Sequence, residues 1–559
     1  MSSIYARLLK QDLSDFEESA KAWRKLSTTM DTLTDQHRSK VTGPLHAQWE
    51  GKDANAALYF LEDLEKRFGI VRTEAMAIAE VITVAHAKLQ EAQKNLRDSV
   101  KGAEAEGFVV HDNGKLEQSA SQKEATSGDD VQDQADRASL SSLMDIYQRD
   151  IDSALDYAKE ADDEAAANLG VLDGDILQGD IDDSAGEARD DVAQLGKKTD
   201  LLAAPVAPED PKEAAKWWHD LTPDQRDSLA ALHPEVIGKA DGLPSDVRDD
   251  ANRLALDQEL SAMENYEYHD KYSTDDYNKR LNNLLTLQRA MDKRDGETGR
   301  KELFLLDFDS GGDGQAVIAQ GNPDTADNVA VQVPGTDTTM ESTGGQLDRI
   351  DKLQRAAMRE DPTSSTSTVY WLGYDTPEIP VSQAANLSVA GTGRAEDAAP
   401  DLRNFTHGLR ASHQGDPAHL TVLGHSYGST VVGAAAAHDG GLGADDIAVV
   451  GSPGMTVRRA DELNIDPDHV YVGRAEDDGI KMAAGATLGS DPATTDLFGG
   501  HRFKVDTEGH SGYWDETKDG PSQSLANQGK IIAGSTPTRA PKEPTQNPDR
   551  PDIPLGPHP

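Results

Sequence analysis

The spacing of apolar residues changes along this chain, and that change limits the fold more than any other feature of the sequence. As far as Ala161, apolar residues recur every three or four positions, which is typical of amphipathic helices. From Lys301 onward they form short runs separated by turns or helical stretches, which predicts strands alternating with helices. Such alternation indicates a largely parallel sheet covered by helices, whose first two strands form an antiparallel hairpin. We therefore predict an all-α region followed by an α/β domain.

Two predicted helices flank a break with the sequence TGPLHAQWEGKDANAA, and each has an apolar seam, a stripe of apolar residues spaced three or four positions apart. Pro44 and Gly51 are expected to end the first helix, and Asp53 to cap the second. Helices joined in this way are expected to pack antiparallel through their apolar seams. The seam residues are Leu9, Leu13, Phe16, Ala20, Trp23, Leu26, Met30 and Leu33 in the first helix, and Leu61, Leu64, Phe68, Val71, Ala75, Ile78, Ile82, Ala85, Leu89, Ala92 and Leu96 in the second.

The rest of the N-terminal half adds a hairpin and a third long helix. GFVVHDNGKLE alternates around Asn113-Gly114, which predicts a small β-hairpin. A third seam runs from Leu140 to Ala161, and the acidic, Gly/Asp-rich stretch Gly174–Lys198 is interpreted as a loop or linker. The predicted domains are a helical region with its linker (1–200), a segment of short capped helices (201–300), a catalytic α/β domain (301–534) and a proline-rich disordered tail (535–559).

Composition excludes several classes of partner and chemistry. One hundred acidic residues against 55 basic ones give a net charge of −45, which repels phosphate backbones and argues against nucleic acid as a partner. The absence of cysteine rules out disulfides, thiolate metal sites and a thiol nucleophile. No apolar run is long enough for a membrane span, and MSSIYARLLKQDLSDFEESAKAW lacks the features of a conventional signal peptide.

The stretch TVLGHSYGSTVVGAAAA places Ser426 between two glycines, after a strand-like run and before a small-residue helix. A serine on such a sharp strand-to-helix turn lies at a strained backbone position, and the glycines relieve the crowding around it. The start of the following helix directs amide groups and its dipole toward the place where an oxyanion would form. The pattern predicts that Ser426 is a nucleophile, with the backbone amide of Tyr427 as one oxyanion donor.

The other members of a catalytic triad follow in the order acid, then histidine. Asp477 and Asp478 come after the strand HVYVG, and His510 comes after the strand RFKVD. We prefer Asp478 as the acid because Gly479-Ile480 can turn the chain back under the histidine, and Asp477 stays the alternative. The second oxyanion donor is expected in the loop after NVAVQV, as the amide of Gly335 or Thr336. Two other acids are interpreted structurally, Asp375 as a loop organiser and Asp491 as a turn or cap.

The region from Lys301 to Gly534 resembles an actinobacterial α/β-hydrolase family catalogued as a domain of unknown function. The matching stretches are VAVQVPGT, TVYWLGYDTP, LTVLGHSYGSTVVG, VVGSPG, the acidic loop that ends in Asp478-Gly479-Ile480, and GHSGYW followed by SQSLAN. The segment WWHDLTPDQRDSLAALHPEVIGKADGLPSDVRDDANR is similar to the one that precedes the hydrolase domain in that family. The resemblance implies a serine-hydrolase fold and a triad of Ser426, Asp478 and His510, but no substrate.

The first hundred residues resemble the WXG family of secreted helical hairpins, through the turn Trp49-Glu50-Gly51 between two helices. This resemblance implies leaderless export by a type VII system. A hydrophobic plug on an ordinary helical hairpin would explain Trp49 equally well, and a cytoplasmic location stays open. A helical partner chain or self-association through the hairpin would follow from the WXG interpretation.

These observations predict a serine hydrolase that uses a Ser-His-Asp triad and an acyl-enzyme, with no cofactor and no metal. A small acyl ester is the preferred substrate, because no peptide-binding signature is visible. The alternative is a secreted helical interaction or effector protein whose hydrolase scaffold is inert. Acyl chain length, oligomeric state and any gating of the site by the helical region are left open by the sequence.

Overall fold

The structure is a computed structural model that describes residues 4–127, 131–172, 185–197, 203–264, 268, 270–295, 297–378, 391–482, 485, 487–493, 497–518 and 520–540. The chain forms two compact units whose segments interleave along the sequence. Unit 1 comprises Met1–Asp35, Asp63–Ala204 and Asp227–Leu232, and unit 2 comprises Gln36–Glu62, Pro205–Arg226 and His233–Pro559. The domain boundaries proposed at residues 200, 300 and 534 stay predictions.

The N-terminal half is built from long helices, as predicted. Its elements are α1 (Ile4–Lys10), α2 (Ser14–His37), α3 (Gly43–Gln48), α4 (Lys52–Ala105), β1 (Phe108–Val110), β2 (Leu116–Gln118), α5 (Ala120–Ala125), α6 (Val131–Leu172) and α7 (Ala185–Gly196). Helices α2 and α4 are antiparallel: Arg24 meets Glu80 at 2.8 Å, whereas Ser27 donates to the carbonyl of Arg72 at 2.8 Å. The predicted hairpin is confirmed, with Val110 opposite Leu116.

Two details of this region differ from the sequence predictions. Pro44 does not end the first helix, because a π-helical turn at Arg38–Thr42 carries helical backbone into α3. Pro44 lies in the first turn of α3, where a missing N–H breaks no intrahelical bond. The break falls at Trp49–Gly51 instead, where Gly51 has a φ of +115°. The stretch interpreted as a loop, Gly174–Lys198, contains helix α7, whose Val192 and Leu195 are buried against Met76 and Ile78 of α4.

Three short helices and two longer ones follow in the described part of the chain, and proline begins each of the short ones. They are α8 (Pro211–Asp220), α9 (Pro223–Leu232), α10 (Pro234–Ile237), α11 (Ser245–Glu264) and α12 (Thr274–Asp292). The Asp210 carboxylate caps α8 by accepting the amides of Lys212 and Glu213, and proline occupies the first position of α8, α9 and α10. Among the described residues, no helix combines the length and the apolar character needed to cross a membrane.

The C-terminal half contains an eight-stranded sheet of β3 (Leu303–Asp309), β4 (Gln315–Gln320), β5 (Asn328–Val333), β6 (Thr366–Leu372), β7 (His419–His425), β8 (Asp446–Val450), β9 (Val470–Gly473) and β10 (His501–Arg502), in the order β10-β9-β8-β7-β5-β6-β4-β3. Strand β4 runs antiparallel to β3 and β6, and all other neighbours are parallel. The α/β class and the initial antiparallel hairpin are therefore confirmed.

Helices cover this sheet on both faces: α13 (Thr343–Glu360), α14 (Gly393–Ser412), α15 (Tyr427–Ala437) and α16 (Gln523–Ile532). Alternate strand residues divide between two cores, since Ala330 and Leu423 pack with α13 and α16, whereas Val331 and Val422 pack with α14 and α15. The chain steps outward from β5 to β6 on one side and to β7 on the other. The order of the strands therefore reverses direction at β5. In such sheets, ligands bind at the point of reversal, outside the carboxyl ends of the strands.

Candidate active site

Ser426 lies on the turn between β7 and α15, at the carboxyl edge of the sheet. Its backbone has φ 53° and ψ −129°, a conformation that only a few non-glycine residues of the described chain share. A Cβ on Gly428 would lie 2.3 Å from the Val333 carbonyl oxygen, and one on Gly424 would lie 2.6 Å from the Cα of Ser429. Glycine is therefore required on both sides because the turn packs tightly against its neighbours. That packing presses Ser426 into the left-handed region.

The structure brings three of the predicted residues together around this turn. The Oγ of Ser426 lies 2.8 Å from Nε2 of His510. On the other side of the ring, Nδ1 lies 2.9 Å and 3.0 Å from the two carboxylate oxygens of Asp478. Asp478 follows β9, and His510 follows β10 in a loop that precedes a short 3₁₀ turn at Gly512–Trp514. In this arrangement Nδ1 donates to the carboxylate and Nε2 is free to accept the serine proton.

The two candidate acids have different partners. Asp478 is fully buried and contacts His510, whereas Asp477 is exposed and accepts the amide of Gly509 at 2.8 Å. Asp477 therefore holds the backbone of the histidine loop and does not reach the imidazole. Between the two alternatives left open by the sequence, the geometry favours Asp478.

The carboxylate of Asp478 is stabilised in its ionised form. Burial acts to raise its pKa, but hydrogen bonds from His510, from the Tyr513 hydroxyl (2.5 Å) and from the Ile480 amide (2.9 Å) outweigh burial, and the pKa is lowered. The Ile480 contact is a local turn over two residues, and the return of the chain under the histidine stays a prediction. An ionised acid beside Nδ1 favours the tautomer in which Nε2 accepts a proton.

The loop after β5 lies against the serine, where the oxyanion donors were predicted. A Cβ on Gly335 would lie 2.6 Å from Cβ and 3.1 Å from Oγ of Ser426, so only glycine fits there. The Tyr374 hydroxyl holds this loop by donating to the Pro334 carbonyl at 2.7 Å. Among the described residues, no acceptor is hydrogen-bonded to the backbone amides of Gly335, Thr336 or Tyr427.

Sequence reasoning missed two side chains at the site. Tyr513, whose hydroxyl donates to Asp478, lies in the stretch GHSGYW, where a tyrosine three residues after a candidate base was a usable signal. His425 precedes the serine, is buried, and contacts the backbone of His510. Its position on β7 was visible in the sequence, but the 85-residue separation from His510 hid the contact.

The other singled-out acids have structural partners. Asp375 forms an ion pair with Arg394. Asp491 pairs with Arg474 at 2.6 Å and also accepts the Ala493 amide at 2.9 Å, so it combines the predicted turn with a buried ion pair.

Within the described residues, one group of side chains could hold a metal ion. His46, Glu62 and Asp292 of unit 2 present ligand atoms within 4.8 Å of one another. The His46 Nε2 lies 2.9 Å from Oε1 of Glu62, and this hydrogen bond explains their proximity without an ion. We therefore assign no metal to this cluster.

Comparison with known proteins agrees with the fold. Residues 309–489 match the family model described as "Alpha/beta hydrolase". The chain is similar to uncharacterized protein Rv2079 of Mycobacterium tuberculosis, with 30% identity over 442 residues, which covers 68% of this chain and 64% of that protein. It is also similar to uncharacterized protein Mb0988c of Mycobacterium bovis, with 30% identity over 177 residues, which covers 30% of this chain and 64% of that protein. This chain thus spans 64% of the length of either relative. Strand order and family match together identify an α/β-hydrolase domain in the C-terminal half of the chain.

Proposed function

We propose that this protein is a serine hydrolase that cleaves a small carboxylic ester through an acyl-enzyme. The observation that carries the proposal is the continuous hydrogen-bonded series from Ser426 Oγ through the His510 ring to the buried Asp478 carboxylate. The serine, the histidine and the aspartate are far apart in the sequence, yet they are hydrogen-bonded in the order nucleophile, base, acid that nucleophile activation requires.

In the proposed reaction, Nε2 of His510 takes the Ser426 proton as Oγ attacks the ester carbonyl. Asp478 holds the imidazole in the correct tautomer and stabilises the imidazolium that forms. The amides of Tyr427 and of Gly335 or Thr336 donate to the tetrahedral oxyanion. His510 then protonates the leaving alcohol, and water, deprotonated by the same histidine, releases the acid from the serine.

The direct test is labelling with a fluorophosphonate probe, which reacts with an activated serine. We expect the wild-type chain to label at Ser426, and Ser426→Ala and His510→Ala to remain unlabelled with unchanged circular dichroism. Ser412→Ala is the matched control, because Ser412 bonds Asp324 away from the triad. Esterase activity on a short acyl ester should follow the same pattern. A folded Ser426→Ala protein with full activity would overturn the proposal.

A second candidate function is that of an exported interaction protein with an inert hydrolase scaffold. It is favoured by the turn at Trp49-Glu50-Gly51, where the Trp49 side chain is 41% exposed between α3 and α4. A helical partner or a second copy would cover that side chain. If the turn is an export signal, the protein should enter the culture medium of its host, and a Trp49→Ala/Gly51→Ala variant should stay in the cells. Equal secretion of both forms would exclude this role.

A further inference from the structure

His425 immediately precedes the proposed nucleophile, yet it has no part in the proton transfer. It is the last residue of β7, and only 7% of its surface is exposed. Its Nε2 lies 2.9 Å from the backbone carbonyl oxygen of His510. Its ring centroid lies 4.9 Å from that of His510 and 4.9 Å from that of Trp514. The ring is thus enclosed beside the proposed base.

The hydrogen bond identifies the form of the His425 ring. A carbonyl oxygen can only accept, so Nε2 must carry the hydrogen. Burial lowers the pKa of His425 to about 3, and the positive charges of His510 and Arg349 act in the same direction. The hydrogen bond and the lowered pKa both indicate a neutral His425 ring. A neutral ring also avoids repelling His510 when His510 becomes an imidazolium.

The backbone of His510 is held from both sides by side chains of the sheet edge. Its own carbonyl accepts from His425, and the amide of the preceding Gly509 donates to Asp477. The segment around His510 has no strand or regular α-helix to fix it. Without these two anchors, the imidazole would move relative to Oγ. A displacement of about 1 Å is enough to lower a rate by about a hundredfold.

We propose that His425 is a positioning residue, which ties the backbone of His510 to the strand that carries Ser426. The inference rests on the proposed serine-hydrolase function. Because His425 and Ser426 are adjacent, the end of β7 carries the nucleophile and, through the hydrogen bond of His425, also holds the backbone of the base. The distance between Oγ and Nε2 is then insensitive to movements elsewhere in the histidine loop.

Three substitutions separate the hydrogen bond from the bulk of the ring. In His425→Gln the amide nitrogen can occupy the position of Nε2, whereas in His425→Asn the amide is too short to reach it. His425→Phe keeps a ring without a donor. We expect the Gln variant to recover most of kcat, and the Asn and Phe variants to lose about 10- to 100-fold in kcat with little change in KM. Both amides are polar, so the Gln/Asn comparison remains informative if the Phe variant unfolds.

A spectroscopic readout makes the test independent of substrate. The Nδ1 proton shared by His510 and Asp478 should give a far-downfield proton resonance in the wild-type and Gln proteins, and a lost or broadened one in the Asn and Phe proteins. The matched control is His413→Phe, because His413 also contacts two backbone carbonyls, of Pro323 and Asp416, away from the triad. It should change neither kcat nor the resonance.

The outcomes distinguish this inference from the function on which it rests. Wild-type kcat and an unchanged resonance in the Asn variant would overturn the positioning role and leave the hydrolase proposal intact. A wild-type protein that neither labels nor turns over esters would overturn the hydrolase proposal. In that case the resonance alone would still show whether His425 holds His510.

Discussion

Asp477 and Asp478 carry identical side chains in adjacent positions, and their surroundings give them different roles. Asp478 is buried, and three donors meet its carboxylate oxygens. Asp477 stays at the surface and takes one backbone amide, that of Gly509. The environment, and not the residue type, therefore distinguishes a proposed catalytic acid from a loop anchor.

The first prediction compares these two acids directly. Asp478→Asn should lower kcat/KM by about 10³- to 10⁴-fold, because an amide beside Nδ1 favours the wrong imidazole tautomer. Asp477→Asn should lose less than about tenfold, since its amide oxygen can still accept from Gly509. Kinetics on a short acyl ester, with circular dichroism for folding, measure both. A larger loss for Asp477→Asn would transfer the role of acid to Asp477.

The second prediction concerns Tyr513 and the dependence of stability on pH. The lowered pKa of Asp478 contributes stability that is present above its unfolded value of 3.8 and is lost as pH falls through the folded pKa. Tyr513→Phe removes one donor, so the pKa of Asp478 rises toward its unfolded value. The variant then has a smaller contribution to lose, and the loss is complete at a higher pH. Thermal unfolding between about pH 2 and 7 should show a difference between variant and wild type that is constant well above pH 3.8 and shrinks as pH falls below it.

Tyr374→Phe is the matched control for that measurement. Tyr374 is also buried and loses one hydrogen bond, but its acceptor is the Pro334 carbonyl, which does not titrate. The destabilisation caused by Tyr374→Phe should therefore be the same at every pH in the window. Parallel curves for both variants would mean that the Tyr513 hydroxyl does not influence the ionisation of Asp478.

At the scale of elements, the parts of the site that depend on local sequence were predictable. The turn at Ser426 is encoded by one contiguous stretch, which consists of a strand, a serine between glycines and a small-residue helix. The choice between two adjacent acids depends on Tyr513 and His510, more than 30 residues away, which pattern alone does not place. The linker interpretation of Gly174–Lys198 failed for α7 because acidic composition concealed the seam of Val192 and Leu195.

The third prediction tests the loop between β5 and α13. Gly335→Ala should abolish fluorophosphonate labelling, because its methyl group would lie 2.6 Å from Cβ of Ser426 and one of the two must shift. Gly344→Ala is the control within the first turn of α13, where an added Cβ meets nothing within 4 Å. It should label normally and gain up to about 1 kcal/mol in the free energy of unfolding. Normal labelling of Gly335→Ala would show that the loop does not abut the nucleophile.

At the scale of the molecule, arginine pairing is distributed over both compact units despite the large acidic excess. In unit 1, Arg24 pairs with Glu80 at 2.8 Å, and in unit 2, Arg38 lies 3.4 Å from Asp257. All four side chains are less than 20% exposed. Removing the arginine of such a pair takes a charged partner away from a largely buried carboxylate, which destabilises the unit that contains it. Arg38 is notable because it precedes the proposed domain boundary at residue 200 yet belongs to the unit with the triad.

The fourth prediction is that the two arginines stabilise different unfolding transitions. Arg38→Met should lower the free energy of unfolding by about 1–3 kcal/mol. In scanning calorimetry, this should lower by several degrees the midpoint of the transition at which fluorophosphonate labelling of Ser426 is lost. Arg24→Met, the matched control, should lower the other transition and leave the labelling midpoint unchanged. Both substitutions could instead shift only the transition that leaves labelling of Ser426 unchanged. Arg38 would then belong with the N-terminal helices, and a single boundary at residue 200 would describe the chain better than the interleaved units do.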